Sequence, residues 1–250
     1  MGRVSGIFLL KGRLTKILNS IQPDVIHSQG FRPDLLVSLF FQNFKSVSTI
    51  HNNPFADYHY KHGKIVGSII ANIHKICVKK SPNSFIAVSK SILNIYENKG
   101  IRVACIQNGV DIEYFTSLIS SDKKLLKSKL EIPLDKYVFL TTGRLVKSKN
   151  LTTTINGFNK YNQGDSILLI VGDGNEREFL ENFESETIRF VGYTDSIVEY
   201  YQSADFYISS SLTEGFPMAV LESMAVGLVP VLSDIEPHKE IFNGDKGRNY

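Results

Sequence analysis

Short runs rich in Val, Ile, Leu and Phe recur along the chain at residues 24–28, 46–50, 84–88 and 103–106. A second series follows at 137–142, 166–171, 188–191, 205–209 and 229–232. Most are continuously apolar rather than alternating, which is the pattern of strands buried on both faces. Segments with helical spacing lie between them, at 11–21, 33–42, 63–80, 89–98, 150–161 and 217–226. Alternating strands and helices predict parallel sheets covered by helices on both faces. The alternation breaks at residues 108–135, where NGVD marks a turn and the polar stretch SSDKKLLKSKLEIPLDK reads as a connection with a linking helix. The expected fold is therefore α/β with two Rossmann-like domains, residues 1–112 and 113–250. Ligands of such sheets bind at the carboxyl ends of the strands, here in the cleft between the two sheets.

Composition adds limits. The 250 residues are 42% apolar and 21% charged, ordinary values for globular domains. The net charge of +3 (28 − 25) is too small to argue for a nucleic-acid partner. Cys77 and Cys105 have no metal-site spacing and suggest a reducing compartment. The longest apolar run, LLVSLFF, is far short of a membrane span. The opening MGRVSGIFLLKGRLTKIL has no small-residue cleavage site, and Gly6 stands where myristoylation needs Ser or Thr. A cytoplasmic location is the expectation.

Three stretches carry candidate chemistry. In YVFLTTGRLVKSKN, Gly143 allows a sharp turn after the strand, and Arg144 and Lys149 flank the next helix. Two cations at a helix N-terminus suit a diphosphate, although spacing alone leaves a solvated basic loop equally open. VGDG (residues 171–174) lacks the spacing of a phosphate-binding glycine loop and reads as a tight strand-to-helix turn. In SLTEGFPMAVLESMAVGLVPVL, Pro217 fits the first helical position and Gly227 the helix end. Glu214 precedes this helix, and Gly215 and Phe216 offer backbone amides at its mouth. Glu222 lies within it, placed to accept hydroxyl hydrogen bonds or merely to complement the helix dipole.

The stretch from Ser211 to Val231 resembles the signature of GT4-type retaining glycosyltransferases, which have the GT-B fold. GRLVKSKN resembles that family's pyrophosphate-clamping segment, and QNGVDIEYF its interdomain crossover. DVIHSQG, STIHN and FIAVSKSI resemble parts of its acceptor domain, so the likeness covers nearly the whole chain. The resemblance implies roles. Arg144 and Lys149 hold the diphosphate, and Glu214 contacts the donor sugar. Gly143, Gly215, Phe216 and Pro217 shape the site, and Glu222 binds the ribose. Val191 and Gly192 meet the nucleotide base, and His51 faces the transferred sugar, although a lone histidine is by itself more often structural. The implied substrates are a UDP- or GDP-linked sugar and a polysaccharide or lipid-linked acceptor, as in bacterial surface-polysaccharide assembly. No D-x-D occurs, so protein cations are expected in place of a divalent metal, with no other cofactor.

Both ends look shortened against the family pattern. No glycine-rich first strand precedes residue 24, and the chain stops at FNGDKGRNY. The N-terminal domain is therefore expected to be incomplete, with a sheet edge open to self-association. A shortened, inert remnant that binds a nucleotide or a partner chain is the alternative reading. An epimerase is disfavoured by the EGFP helix, and a dehydrogenase by the missing dinucleotide fingerprint. In residues 63–80, Ile65, Val66, Ile69, Ile70, Ile73, Ile76 and Cys77 form a helical stripe with lysines around it. The stripe is expected to pack on the sheet, with peripheral contact to an anionic membrane as the alternative.

Overall fold

The computed structural model describes residues 3–80 and 84–243. The outermost residues of both chain ends, to which the readings of a shortened chain extend, lie outside that range. The chain divides into two compact units, Met1–Gln107 and Asn108–Tyr250. The division falls immediately before the NGVD turn, slightly before the boundary drawn after residue 112.

Unit 1 runs α1 (Arg3–Ile21), β1 (Ile26–Gln29), α2 (Phe31–Phe40), β2 (Ser46–Ile50), α3 (Pro54–His62), α4 (Lys64–Lys80), β3 (Ser84–Ala87), α5 (Lys90–Glu97) and β4 (Ala104–Cys105). Its four strands are parallel in the order β1-β2-β3-β4. Ile50, Phe85, Ala87, Ile92 and Tyr96 anchor its core. Helix α3 was not expected from the sequence. It is nucleated locally: the Asn53 side chain accepts from the amides of Phe55 and Ala56, and Pro54 occupies the first turn.

The α4 stripe corrects the sequence reading. Ile65 is 80% exposed, and Val66, Ile69, Ile73 and Ile76 are also exposed. The face turned inward carries Gly67, Ala71, His74, Cys77 and Val78. The reason is close packing. A Cβ on Gly67 would stand 2.5 Å from the carbonyl oxygen of Tyr58 in α3. Only small residues let these two helices approach, so the bulky isoleucines are rotated outward.

Unit 2 runs α6 (Ser120–Lys129), β5 (Tyr137–Thr142), α7 (Leu151–Tyr161), β6 (Ser166–Val171), α8 (Arg177–Leu180), β7 (Ile188–Gly192), α9 (Ile197–Ser203), β8 (Phe206–Ser209), α10 (Met218–Val226), β9 (Val229–Leu232) and α11 (Glu236–Asn243). The parallel order is β7-β6-β5-β8-β9, with β5 central and β6 buried throughout. Apolar residues fill both sides of this sheet. That is why its strands read as unbroken hydrophobic runs. Asp205 pins the amino end of β8: its carboxylate accepts from the Val138 amide at 2.8 Å and from Lys123 at 2.7 Å.

Candidate functional site

In unit 2 the carboxyl ends of the strands carry most of the expected site residues. Gly143 follows β5 with φ 124°, a conformation that disfavours any side chain. Its amide donates to the Val171 carbonyl at 2.9 Å, and the Leu145 amide donates to Asp173 at 2.9 Å. The loops after β5 and β6 are thus hydrogen-bonded beyond the ends of their strands. VGDG is the tight turn expected, with a further demand on its glycines. A Cβ on Gly172 would lie 1.9 Å from the Gly143 oxygen, and one on Gly174 2.3 Å from the Leu145 oxygen. Val191 and Gly192 close β7 beside them, where the Gly172 amide donates to the Gly192 carbonyl at 2.8 Å.

Arg144 is exposed on this rim. After a 3-10 turn at Lys147–Lys149, Asn150 turns left-handed and α7 begins. Lys149 points back across the strand ends and meets Glu214, with Nζ 2.6 Å from Oε1. The same oxygen accepts from Ser211 Oγ at 2.8 Å. Glu214 is therefore fixed by two donors in the loop between β8 and α10. Pro217 occupies the N-cap of α10 rather than its first helical position, with ψ 94° and no side-chain cap. The Val220 and Leu221 amides turn back to the Pro217 carbonyl, and the Met218 and Ala219 amides ahead of them have no acceptor within the helix. Gly227 closes the helix in the left-handed conformation at φ 89°, as its sequence position suggested.

Glu222 sits on α10 against buried Tyr201, whose hydroxyl donates to Oε2 at 2.8 Å. A phenol has one proton, and a carboxylate only accepts. The Thr142 hydroxyl, 2.7 Å from the Tyr201 oxygen, therefore donates to it. This chain ties Glu222 to the end of β5. Burial pushes the Glu222 carboxyl above its ordinary value, and the Tyr201 hydrogen bond opposes that rise.

His51 belongs to unit 1, at the end of β2. There it lines a cavity of about 330 Å³ with Gln29, Phe31, Asn52, Tyr58 and Lys61. Behind the cavity lies a polar network that sequence reading missed. Asp34 is 1% exposed and accepts from Ser28 Oγ and Ser48 Oγ, each at 2.6 Å, and from His74 Nε2 at 3.0 Å. His74 Nδ1 is 3.0 Å from the Tyr58 hydroxyl. Burial drives the Tyr58 phenol well above its usual range, with Asp34 and Asp57 adding to the rise. The available signal was His74 sharing a helical face with Gly67, Ala71 and Val78. Such a face packs inward, and a histidine on it needs partners.

His238 on α11 was also missed. It is 2% exposed, and its Nδ1 donates to the Ser233 carbonyl at 2.9 Å. Its Nε2 has no partner among the described residues. Burial pushes this imidazole below its ordinary value, against the pull of the Ser233 carbonyl and Glu214. Among the described residues no cluster of three or more His, Cys, Asp or Glu side chains could hold a metal. No described helix is long and apolar enough to cross a membrane.

Comparison with known proteins adds the following. The model of Glycosyl transferases group 1 matches residues 122–248, and that of Glycosyltransferase Family 4 matches residues 2–114. The O-antigen biosynthesis glycosyltransferase WclY of Escherichia coli is 28% identical over 88% of this chain and 64% of its own length. An Escherichia coli UDP-Gal:alpha-D-GlcNAc-diphosphoundecaprenol alpha-1,3-galactosyltransferase is 26% identical over 89% of this chain and 60% of its own. Among solved structures, Anabaena HepE in complex with UDP and glucose superposes with a TM-score of 0.81 at 17% identity. That match covers 96% of this chain and 66% of HepE, and it shows a shared fold. The chain thus spans somewhat under two thirds of the length of these curated relatives.

Proposed function

Because the chain belongs to the glycosyl transferases group 1, we propose that it moves a sugar from a UDP- or GDP-linked donor to a hydroxyl of a lipid-linked or polysaccharide acceptor, with retention at the anomeric carbon. The observation that carries this reading is the grouping at the strand ends of unit 2. Exposed Arg144, Lys149 held by Glu214, and the uncapped N-terminus of α10 lie around one rim, and Glu222 of α10 is held by Tyr201 of α9. Cleaving a glycosyl diphosphate leaves negative charge on the departing phosphate and positive character on the sugar. Arg144, Lys149 and the α10 amides stabilise the first, in the role a divalent metal plays elsewhere. Glu214 lies where it meets hydroxyls of the second. Glu222 keeps Oε1 for a ribose hydroxyl while Oε2 is held by Tyr201. Val191 and Gly192 face the base. The leaving phosphate itself takes the acceptor's proton, so no carboxylate pair of the glycosidase kind is required.

The same reading places the protein at a membrane face. Helix α4 exposes five branched apolar side chains, and Lys64 and Lys79 are exposed beside them. Helices α1, α2 and α4 contain one acidic residue between them, Asp34, and it is buried. An apolar face ringed by cations and free of exposed acids suits an anionic lipid surface. The relative whose name includes a diphosphoundecaprenol acceptor supports a lipid-linked substrate.

The deciding experiment is calorimetric titration of the 250-residue chain with UDP and with GDP, without metal. One nucleotide should bind saturably, and Arg144→Ala and Glu222→Ala should each weaken it by about fivefold or more, the loss of a charge-assisted hydrogen bond. A folded chain that binds neither nucleotide, or variants within about twofold of the parent, would refute the donor assignment.

A further inference from the structure

Glu214 has one carboxylate oxygen spent and one left over. Oε1 accepts from Lys149 Nζ at 2.6 Å and from Ser211 Oγ at 2.8 Å. Oε2 meets no donor among the described residues. What aims that free oxygen is whatever holds Ser211 and Lys149 in place.

Ser211 is held from behind by the loop after β9. It is buried, and its carbonyl accepts from Ser233 Oγ at 2.6 Å. The Ser233 amide donates to the Ser209 carbonyl at 2.8 Å, just past the end of the β8–β9 pairing. On the other side the Leu212 amide donates to the Ser148 carbonyl at 2.8 Å, next to Lys149. Behind Ser233 stands His238, in the first turn of α11. Its Nδ1 lies 2.9 Å from the Ser233 carbonyl and 3.2 Å from Ser233 Oγ. A carbonyl only accepts, so Nδ1 carries a proton whether or not the ring is charged. The Ser233 hydroxyl proton goes to the Ser211 carbonyl, so Oγ can only accept from Nδ1. The bonds therefore run one way, from His238 to Ser233, from Ser233 to Ser211 and from Ser211 to Glu214.

The other nitrogen of the ring is a cost. Nε2 is buried without a partner among the described residues, and an unmet buried polar atom destabilises a fold. A leucine fills similar space without that cost. What the imidazole adds is its Nδ1 contact, and Glu214 and Lys149 both lie within electrostatic reach of the ring.

We propose that His238 is a positioning residue for the donor sugar: through Ser233 and Ser211 it fixes the Glu214 carboxylate, so that Oε2 is presented to a sugar hydroxyl. The contacts of the nucleotide itself do not depend on it. The proposal deepens the reading of Glu214 as a sugar contact and rests on that reading.

The test is calorimetry of the whole chain with UDP, GDP, UDP-glucose, UDP-galactose, UDP-N-acetylglucosamine and GDP-mannose. The quantity read is the Kd of the tightest-binding sugar nucleotide divided by the Kd of its nucleotide alone. His238→Leu should raise this ratio about fivefold or more, while the nucleotide alone stays within about twofold of the parent. His238→Asn, whose amide nitrogen takes the place of Nδ1, should restore the parental ratio. His238→Gln, whose amide reaches the Nε2 position, should not, and this contrast decides the matter if His238→Leu does not fold. In a Glu214→Ala background His238→Leu should change the ratio by less than about twofold, because its effect passes through Glu214. A parental ratio in His238→Leu, an equal loss of the nucleotide alone, rescue by Gln rather than Asn, or a full further loss in the Glu214→Ala background would overturn the proposal and leave the donor site standing. A folded parent that binds none of these ligands would instead overturn the donor reading, and this proposal with it.

Discussion

At the scale of single residues, glycines and buried histidines set the demands on this molecule. Gly172 combines φ 138° with a neighbouring carbonyl oxygen 1.9 Å from where a Cβ would stand. Gly172→Ala should cost at least about 2 kcal/mol, because both the backbone conformation and the loop contact are lost. Urea unfolding measures this, and a variant as stable as its parent would mean that the loops after β5 and β6 need not touch. His238 makes a pH prediction. Its folded value is lowered by burial, so its contribution is complete above the unfolded value of about 6.5 and is lost as pH falls through it toward the depressed folded value. The urea midpoint of the parent should drop between about pH 7.5 and pH 5.5, and that of His238→Asn should drop less. Parallel curves would show that His238 titrates alike in the folded and unfolded chains. The sequence marked Gly172 as part of a tight turn but not the contact it makes, and it did not mark His238. The close approach at Gly172 involves a second loop 29 residues away (172 − 143), and the burial of His238 depends on packing around α11.

At the scale of elements, α4 shows how a pattern can be read correctly and assigned to the wrong surface. Its isoleucine stripe has the spacing of a buried face, and hydrophobicity alone favours burial. The competing face of Gly67, Ala71, His74 and Val78 wins because α3 has to approach within backbone contact. The exposed stripe leads to a prediction about membranes. The chain should co-sediment with vesicles containing phosphatidylglycerol and not with pure phosphatidylcholine, and Ile69→Asp with Ile73→Asp should abolish the binding. Because both side chains are exposed, unfolding stability should change by no more than about 0.5 kcal/mol for each. Equal binding by the double variant would exclude α4 as the contact. Other elements were plain from their local signals. The strands Ser46–Ile50, Tyr137–Thr142, Ser166–Val171 and Val229–Leu232 coincide with their apolar runs. Helix α1 extends further toward the amino end than its periodicity suggested. Helices α3, α9 and α11 were overlooked because each is short and has a mixed polar surface.

At the scale of the whole molecule, two units with separate cores imply that a ligand of one unit stabilises that unit first. UDP at about a hundredfold over its Kd should add about 2.7 kcal/mol to whatever unfolds with the site. Hydrogen exchange should show the added protection at the carboxyl ends of β5, β6, β7 and β8 and along α10. Protection centred on Met1–Gln107 instead would place the nucleotide in the other unit.

What the sequence determined by itself was whatever is carried by neighbours along the chain. Continuous β-branched runs fix strands, Gly227 ends its helix, and the spacing of Glu214 and Glu222 around GFP places one carboxylate before a helix and the other within it. The tertiary structure alone decided which face of α4 turns inward, and which donors hold Glu214 and Glu222. It alone joined Ser28, Asp34, Ser48, Tyr58 and His74 into one network. Those outcomes rest on contacts between residues far apart in sequence. Backbone approach and hydrogen-bond satisfaction there outweigh the hydrophobicity of any single segment.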